Sequence, residues 1–280
     1  MKTEAQVNAI IDEGLDRYYE ENRRMQNGAI SDVDSVRKEV IDILTQYAGE
    51  DGVISRERVQ QVLRELDVSE STYENVLNEA IEEVVDRTIE RAINLSIAAL
   101  GVYLTVDMIP RSISENIKEL VLSRPISDGL SMADRFYRLA GNIHDGIRSI
   151  VRDGIIRGST IVAISREISR FLGKNEYHIR NIIMTEGFNI YRRTLVETAK
   201  ISGVVRAVKI VDNRGRHRYH ERHRCYILAE RDTYGWGKGV YRLDDAYIYY
   251  PHPQCTAYYR FLLIPEDERR KIVEDRRRGE

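Results

Sequence analysis

Two short stretches near the end of the chain decide how its last part must fold: HRYHERHRC at residues 217–225 and HPQC at residues 252–255. Together they hold both cysteines of the 280-residue chain and four of its six histidines. Evenly scattered Cys and His would rarely fall into one segment in this way. We therefore expect the segment either to fold around a metal ion or to be organised by equally specific contacts.

The spacing of these residues predicts a structural zinc site. Zinc takes about four nitrogen or sulfur ligands in a tetrahedron. The sequence offers one ligand group before residue 226 and a second after residue 251, with 26 residues (226–251) between them. Two close groups joined by a loop suit an ion that stabilises a small module. The predicted ligands are four of His220, His223, Cys225, His252 and Cys255.

Two other interpretations of the same residues stay open. The spacings are not those of a zinc knuckle, and the cysteines could instead be buried free thiols beside surface histidines. A catalytic zinc would need a nearby carboxylate as a base, and Glu221 is the only candidate inside the cluster.

The period of the apolar residues predicts the fold class. Helical spacing runs through residues 4–48, with a break expected at Asn27-Gly28, and again through residues 136–203, with a helix end expected at Gly173. Residues 204–211 and 256–264 have strand character instead. The sequence thus predicts a mainly α protein: an acidic helical arm (1–135), a helical middle (136–203) and a small C-terminal α+β module with a basic tail (204–280).

Helix ends are also readable from the sequence. Ser131 and Asp134 have the spacing of a capping box. Gly158 and Gly203 follow amphipathic runs, as residues that close helices do. The most apolar window, residues 92–109, contains Asp107 and is interrupted by Gly101, so we expect a buried helix there and no membrane partner.

The net charge of -2 hides an asymmetry along the chain. Residues 1–100 carry 11 basic and 22 acidic side chains, a net of -11, whereas residues 201–280 carry 17 and 12, a net of +5. We expect the acidic arm to face solvent or a basic protein surface, and the basic end to face phosphate.

A basic segment in the C-terminal module predicts contact with nucleic acid. Its arginines alternate with Tyr219, Tyr226 and Tyr234, a mixture that suits phosphate and base-face contacts. The alternative is an exposed loop whose arginines pair with Asp232, Asp244 and Asp245. The predicted contact residues are Arg214, Arg216, Arg218, Arg222, Arg224 and Arg231.

The order of motifs resembles the phage head-morphogenesis, Mu F-like, minor head proteins. The resemblance covers about residues 140–264 and is carried by Thr185-Glu186 on a long helix, Asp212-Asn213-Arg214, Cys225-Tyr226-Ile227-Leu228, and Tyr250-Pro251-His252-Pro253-Gln254-Cys255. It departs from the family pattern at Arg222, where a cysteine often stands, and after Cys255, where a second cysteine is missing. These departures exclude a four-cysteine site and leave a mixed site of Cys225, His252, Cys255 and one of His220 or His223.

The resemblance implies a structural protein of a tailed-phage capsid that is not an enzyme. Such a protein would associate with the portal protein, and with the major capsid or scaffold protein, in the host cytoplasm during assembly. It would end inside the head near the portal, where it would help to handle double-stranded DNA. The alternative is a metal-dependent nuclease, or another nucleic-acid enzyme, that uses the His/Cys cluster.

Overall fold

The structure is a computed structural model that describes residues 1–68, 70–123, 129–213, 220–245 and 252–278, with the backbone alone at 68, 70–74, 120, 121 and 220. Over this part the protein is 75% helical, which confirms the predicted fold class. The α-helices of the described part are α1 (Glu4–Tyr47), α2 (Val59–Val68), α3 (Glu70–Leu100), α4 (Arg111–Ser123), α5 (Met132–Arg157), α6 (Ile161–Ser202), α7 (Arg224–Glu230) and α8 (Glu266–Arg278). None of these helices combines the length and apolar character that a membrane crossing requires.

A small antiparallel sheet forms the C-terminal module with α7 and α8. Its strands are β1 (Val205–Val211), β2 (Val240–Tyr241) and β3 (Tyr258–Leu263), in the order β2-β1-β3. In the central strand, Val208 pairs with Tyr241 on one side and Phe261 on the other. β1 and β3 lie within the two predicted strand segments, whereas β2 and α7 were not predicted.

Local capping chemistry sets both ends of α5. The Ser131 hydroxyl accepts a hydrogen bond from the backbone N–H of Asp134 at 3.1 Å, and the Asp134 carboxylate accepts one from the Ser131 N–H at 2.9 Å. This is the predicted capping box. At the other end Gly158 takes a φ of 71°, a left-handed conformation that glycine adopts without a Cβ penalty.

The two helix breaks expected at glycine are wrong. α1 continues through Asn27-Gly28, and α6 continues through Gly173. A glycine inside a helix costs only about 1 kcal/mol relative to alanine. In α1 the buried residues Met25, Ala29 and Val33 keep the helical spacing across the glycine. Burial of that continuous apolar stripe outweighs the local preference.

The described residues form two compact units, each assembled from distant segments. One unit comprises Met1–Asn22, Val84–Gly129 and Met184–Glu280, and the other comprises Arg23–Glu83 and Leu130–Ile183. The division of the sequence at residues 135 and 203 rests on composition and motif order and stays a prediction. The sheet and the Cys/His cluster belong to the first unit.

Within the first unit, the start of α1 holds the edge strand β3. The Asn8 side chain accepts a hydrogen bond from the Phe261 N–H at 2.8 Å and donates one to the Phe261 carbonyl at 2.9 Å. Arg260 pairs with Asp12 at 2.7 Å. An asparagine on a helix thus satisfies the free donor and acceptor of one β3 residue, which secures the strand that follows the HPQC turn.

Candidate metal centre

Three ligand-bearing side chains meet between α7 and the turn before β3. His223 precedes the first residue of α7 with extended backbone angles (φ -79°, ψ 139°), and Cys225 lies in the first turn of that helix. His252 comes from the HPQC turn. The candidate ligand atoms of these residues all lie within 4.8 Å of one another, so the group could hold a metal ion.

The two histidines approach the cysteine from different directions. The Nε2 atom of His252 lies 3.1 Å from the Sγ atom of Cys225. The rings of His223 and His252 have centroids 4.7 Å apart and are almost perpendicular, at 89°. Cys225 is buried, whereas both histidines are half-buried. The sulfur side of the cluster is therefore shielded from solvent, and the imidazole side is partly exposed to it.

Cys255 adds a second thiol to this group. Its side chain is fully buried, and both cysteines are free thiols. Burial acts to raise the pKa of Cys255, but the hydrogen bond with Cys225, the charge of Arg192 and the contact with His252 together hold that pKa well below its usual value. The hydrogen bond to Cys255, followed by burial, raises the pKa of Cys225. Because the two side chains share a hydrogen bond, the pair loses its first proton more readily than its second.

A buried arginine on α6 fixes the backbone that carries Cys255. The side chain of Arg192 is fully buried. Its Nη1 atom donates hydrogen bonds of 2.9 Å to the carbonyls of Cys255 and Ala257, and its Nη2 atom donates one of 2.5 Å to Asn189. One planar guanidinium thus links α6 to the segment between the HPQC turn and β3.

Thr185 supports the same turn one residue earlier. Its hydroxyl accepts a hydrogen bond from the N–H of Gln254 at 2.9 Å. Gln254 has a φ of 55°, a left-handed conformation that is uncommon outside glycine. The Asn189 amide in turn donates to the neighbouring Glu186 carboxylate at 3.4 Å. The Thr185-Glu186 pair of the family resemblance therefore belongs to a buried polar row that braces the turn.

Not every predicted ligand is brought into the described cluster. His223, Cys225 and His252 meet, and Cys255 hydrogen-bonds with Cys225 and His252. The side chain of His220 lies outside the described residues, although its backbone begins a short 3-10 helix, His220–Arg222. Glu221, the candidate base for a catalytic zinc, is exposed.

The predicted nucleic-acid contacts are only partly described. Arg214, Arg216 and Arg218 lie outside the described residues, whereas Arg222, Arg224 and Arg231 are exposed. Two of the aspartates that could have paired with them have other partners: Asp244 pairs with Lys200 at 2.9 Å, and Asp245 accepts a hydrogen bond from Tyr234 at 2.5 Å. The contact with nucleic acid stays a prediction.

Arg192 and Asn189 are the site residues that the sequence did not single out. They follow Thr185 at helical spacings of seven and four, and so share its face of α6. A row of polar residues at this helical spacing was the available signal. It points to buried partners for the polar groups and does not identify them.

Comparison with protein-family models, with curated proteins and with solved structures gives no match.

Proposed function

We propose that the chain is a structural minor head protein of a tailed phage whose C-terminal module is stabilised by one zinc ion. The observation that carries the proposal is the meeting of three of the motifs on which the family resemblance rests. Cys225, the HPQC turn and Thr185-Glu186 are far apart in sequence, yet all belong to one cluster and its brace. If the residues of a family's sequence pattern build one site, then their occurrence together has a physical cause.

The donor set fits zinc. Two thiols and two imidazoles, from Cys225, Cys255, His252 and His223, would make a Cys2His2 shell of the kind common in structural sites. With Zn–S of about 2.3 Å and Zn–N of about 2.0–2.1 Å, tetrahedral ligand atoms lie roughly 3.3–3.8 Å apart. The ligand atoms of His223, Cys225 and His252 lie within 4.8 Å of one another, and Cys255, which hydrogen-bonds with Cys225 and His252, would complete the shell.

Burial supports a structural role for the ion. Both thiols are buried, Cys255 completely. A catalytic ion needs an open coordination position that the substrate can reach, and four protein ligands would leave none. The alternative function, a metal-dependent nuclease, is therefore less well supported. One observation favours the nuclease: its two candidate histidines are half-buried and lie on the side of the cluster that solvent can reach.

The charge pattern supports partners of two kinds. Exposed carboxylates gather on α1 and α3 of the second unit: the pKa of Asp32 is raised by partial burial and then by the charges of Glu83 and Glu79. A basic surface on the portal protein, or on the major capsid or scaffold protein, would relieve this repulsion. Exposed Arg222, Arg224 and Arg231 suit double-stranded DNA. The proposed location is the head interior near the portal, reached from the host cytoplasm.

Co-expression with the portal protein encoded in the same genome tests the proposal. We expect the chain to sediment with portal particles, to be detected in purified virions by mass spectrometry, and to leave supercoiled plasmid DNA intact with added zinc or magnesium. Sedimentation as a free chain together with chelator-sensitive plasmid cleavage, abolished by His223→Ala, would instead establish the nuclease.

A further inference from the structure

The loop between α7 and β2 carries the only tryptophan of the chain, Trp236, which is 51% exposed. The Trp236 ring lies against the Tyr234 ring, with centroids 5.3 Å apart. The guanidinium of Arg242 lies over both rings, 4.9 Å from the Tyr234 centroid and 5.7 Å from that of Trp236. Two aromatic rings and an arginine thus form one surface group, called here the tryptophan platform (Tyr234, Trp236 and Arg242).

The backbone under the platform is tied down at its base. The N–H of Gly239 donates to the Arg231 carbonyl, and the Gly239 carbonyl accepts from the N–H of Ile210 in β1, each at 2.9 Å. Gly239 has a φ of 76°, and a Cβ atom there would lie 2.8 Å from the Ala229 carbonyl oxygen. The Tyr234 hydroxyl also donates to the nine-tenths-buried Asp245 at 2.5 Å. The loop is therefore held in one conformation before any partner arrives, which lowers the entropy lost on binding.

The charges around the platform are of both signs. Residues 230–245 carry three basic side chains, Arg231, Lys238 and Arg242, and four acidic ones, Glu230, Asp232, Asp244 and Asp245. Three of the acidic side chains have partners: Glu230 pairs with Lys238, Asp244 pairs with Lys200, and Asp245 accepts a hydrogen bond from Tyr234. Arg231, Lys238 and Arg242 are all exposed. Lys238 pairs with the half-buried Glu230 at 3.0 Å.

We propose that the tryptophan platform binds a single nucleic-acid strand, with an unpaired base stacked on Trp236 and its flanking phosphates contacting Arg242, Arg231 and Lys238. Every base has a π-face, so an exposed indole accepts any sequence. Bases inside a duplex are stacked on each other and cannot reach the indole. An acidic polypeptide without aromatic residues would satisfy the cations but offers no ring for the indole. The inference adds a site for a single strand beside the duplex contacts of the proposed function, on which it rests.

Because Trp236 is the only tryptophan of the 280 residues, its fluorescence reports on the platform directly in the unmodified chain. We expect oligodeoxythymidylate of twelve residues to quench this fluorescence, and a duplex of the same length to quench it much less. Three phosphate contacts predict that the logarithm of affinity falls with the logarithm of salt with a slope of about -2. Equal quenching by the duplex, or by polyglutamate, would overturn the proposal, the latter in favour of a protein partner.

Variants separate stacking from charge. Trp236→Ala should weaken binding of the labelled oligonucleotide, measured by fluorescence anisotropy, by about 5- to 150-fold, the factor for one stacked base. Arg242→Gln should weaken it and reduce the salt slope by about 0.7. Tyr177→Ala removes another exposed aromatic ring, 62% exposed, in the second unit and should change nothing.

The result would contradict the proposal if Trp236→Ala and Arg242→Gln both bind as the unmodified chain does, with circular dichroism showing all variants folded. A negative result here would not affect the tests of the proposed function, which are sedimentation with portal particles and zinc content. Conversely, a chain that binds the oligonucleotide but never joins portal particles would retain the platform and lose the proposed function.

Discussion

Replacement of Arg192 by glutamine should reveal how far the HPQC turn depends on α6. Arg192 is fully buried and donates two hydrogen bonds of 2.9 Å to the Cys255 and Ala257 carbonyls and one of 2.5 Å to Asn189. Glutamine is shorter and would leave both carbonyls without their donor. An unsatisfied buried acceptor costs about 1–3 kcal/mol, and this replacement leaves two such carbonyls. We expect the free energy of unfolding to fall by about 2–6 kcal/mol.

Urea unfolding followed by circular dichroism measures this change, and competition with a chromophoric chelator measures zinc affinity. Because Arg192 orients the backbone of a ligand, we expect the affinity of Arg192→Gln for zinc to fall by about 10- to 100-fold. Arg192→Lys keeps the charge but lacks the planar guanidinium. Its free energy of unfolding and its affinity for zinc should both lie between those of the unmodified chain and those of Arg192→Gln.

The matched control is Arg180→Ala on the same helix. Arg180 is 39% exposed in its side chain, pairs with Glu176 at 4.0 Å and donates to Asn27. Exposed pairs of this kind contribute about 0–1 kcal/mol. The reasoning is refuted if Arg192→Gln unfolds at the same urea concentration as Arg180→Ala and holds zinc equally well.

Three further predictions concern charge, capping and protons. The folded chain raises the pKa of Asp32, through partial burial and nearby glutamates, so ionised Asp32 opposes folding as pH rises through that pKa. Asp32→Asn should therefore raise the melting temperature near neutral pH, but not below the usual aspartate pKa, and salt should reduce the gain. Ser131→Ala removes the N-cap of α5 and should lower the free energy of unfolding by about 1 kcal/mol, whereas exposed Ser123→Ala should leave it nearly unchanged. Zinc binding at neutral pH should release protons, because the coupled cysteine pair holds its second proton tightly and both sulfurs bind the ion as thiolates. Calorimetry in buffers of different ionisation heat would show this, and a heat independent of buffer would contradict it.

Predictions from the sequence succeeded where a local rule decides the outcome. The capping box at Ser131 and the helix end at Gly158 each depend on a few adjacent residues. The same holds for β1 and β3, where a run of β-branched and aromatic residues marks a strand. The meeting of His223, Cys225 and His252 was predicted from composition, since ligand types that gather in one segment seldom do so without a common partner.

Predictions failed where tertiary packing outweighs a local preference. Gly28 and Gly173 lie inside helices because the apolar stripe on each side continues through them. α7 has only seven residues, too few for helical periodicity to stand out from the surrounding loop. The role of Arg192 depends on carbonyls 63 and 65 residues away, and no spacing within α6 identifies such partners.

Elemental analysis of the purified chain, combined with X-ray absorption at the zinc edge, tests the central claim most directly. The account predicts one zinc ion per chain in a shell of two sulfurs at about 2.3 Å and two nitrogens at about 2.0–2.1 Å, lost in Cys225→Ser and Cys255→Ser. A chain that folds and purifies without metal, or an ion bound by nitrogen and oxygen alone, would contradict it.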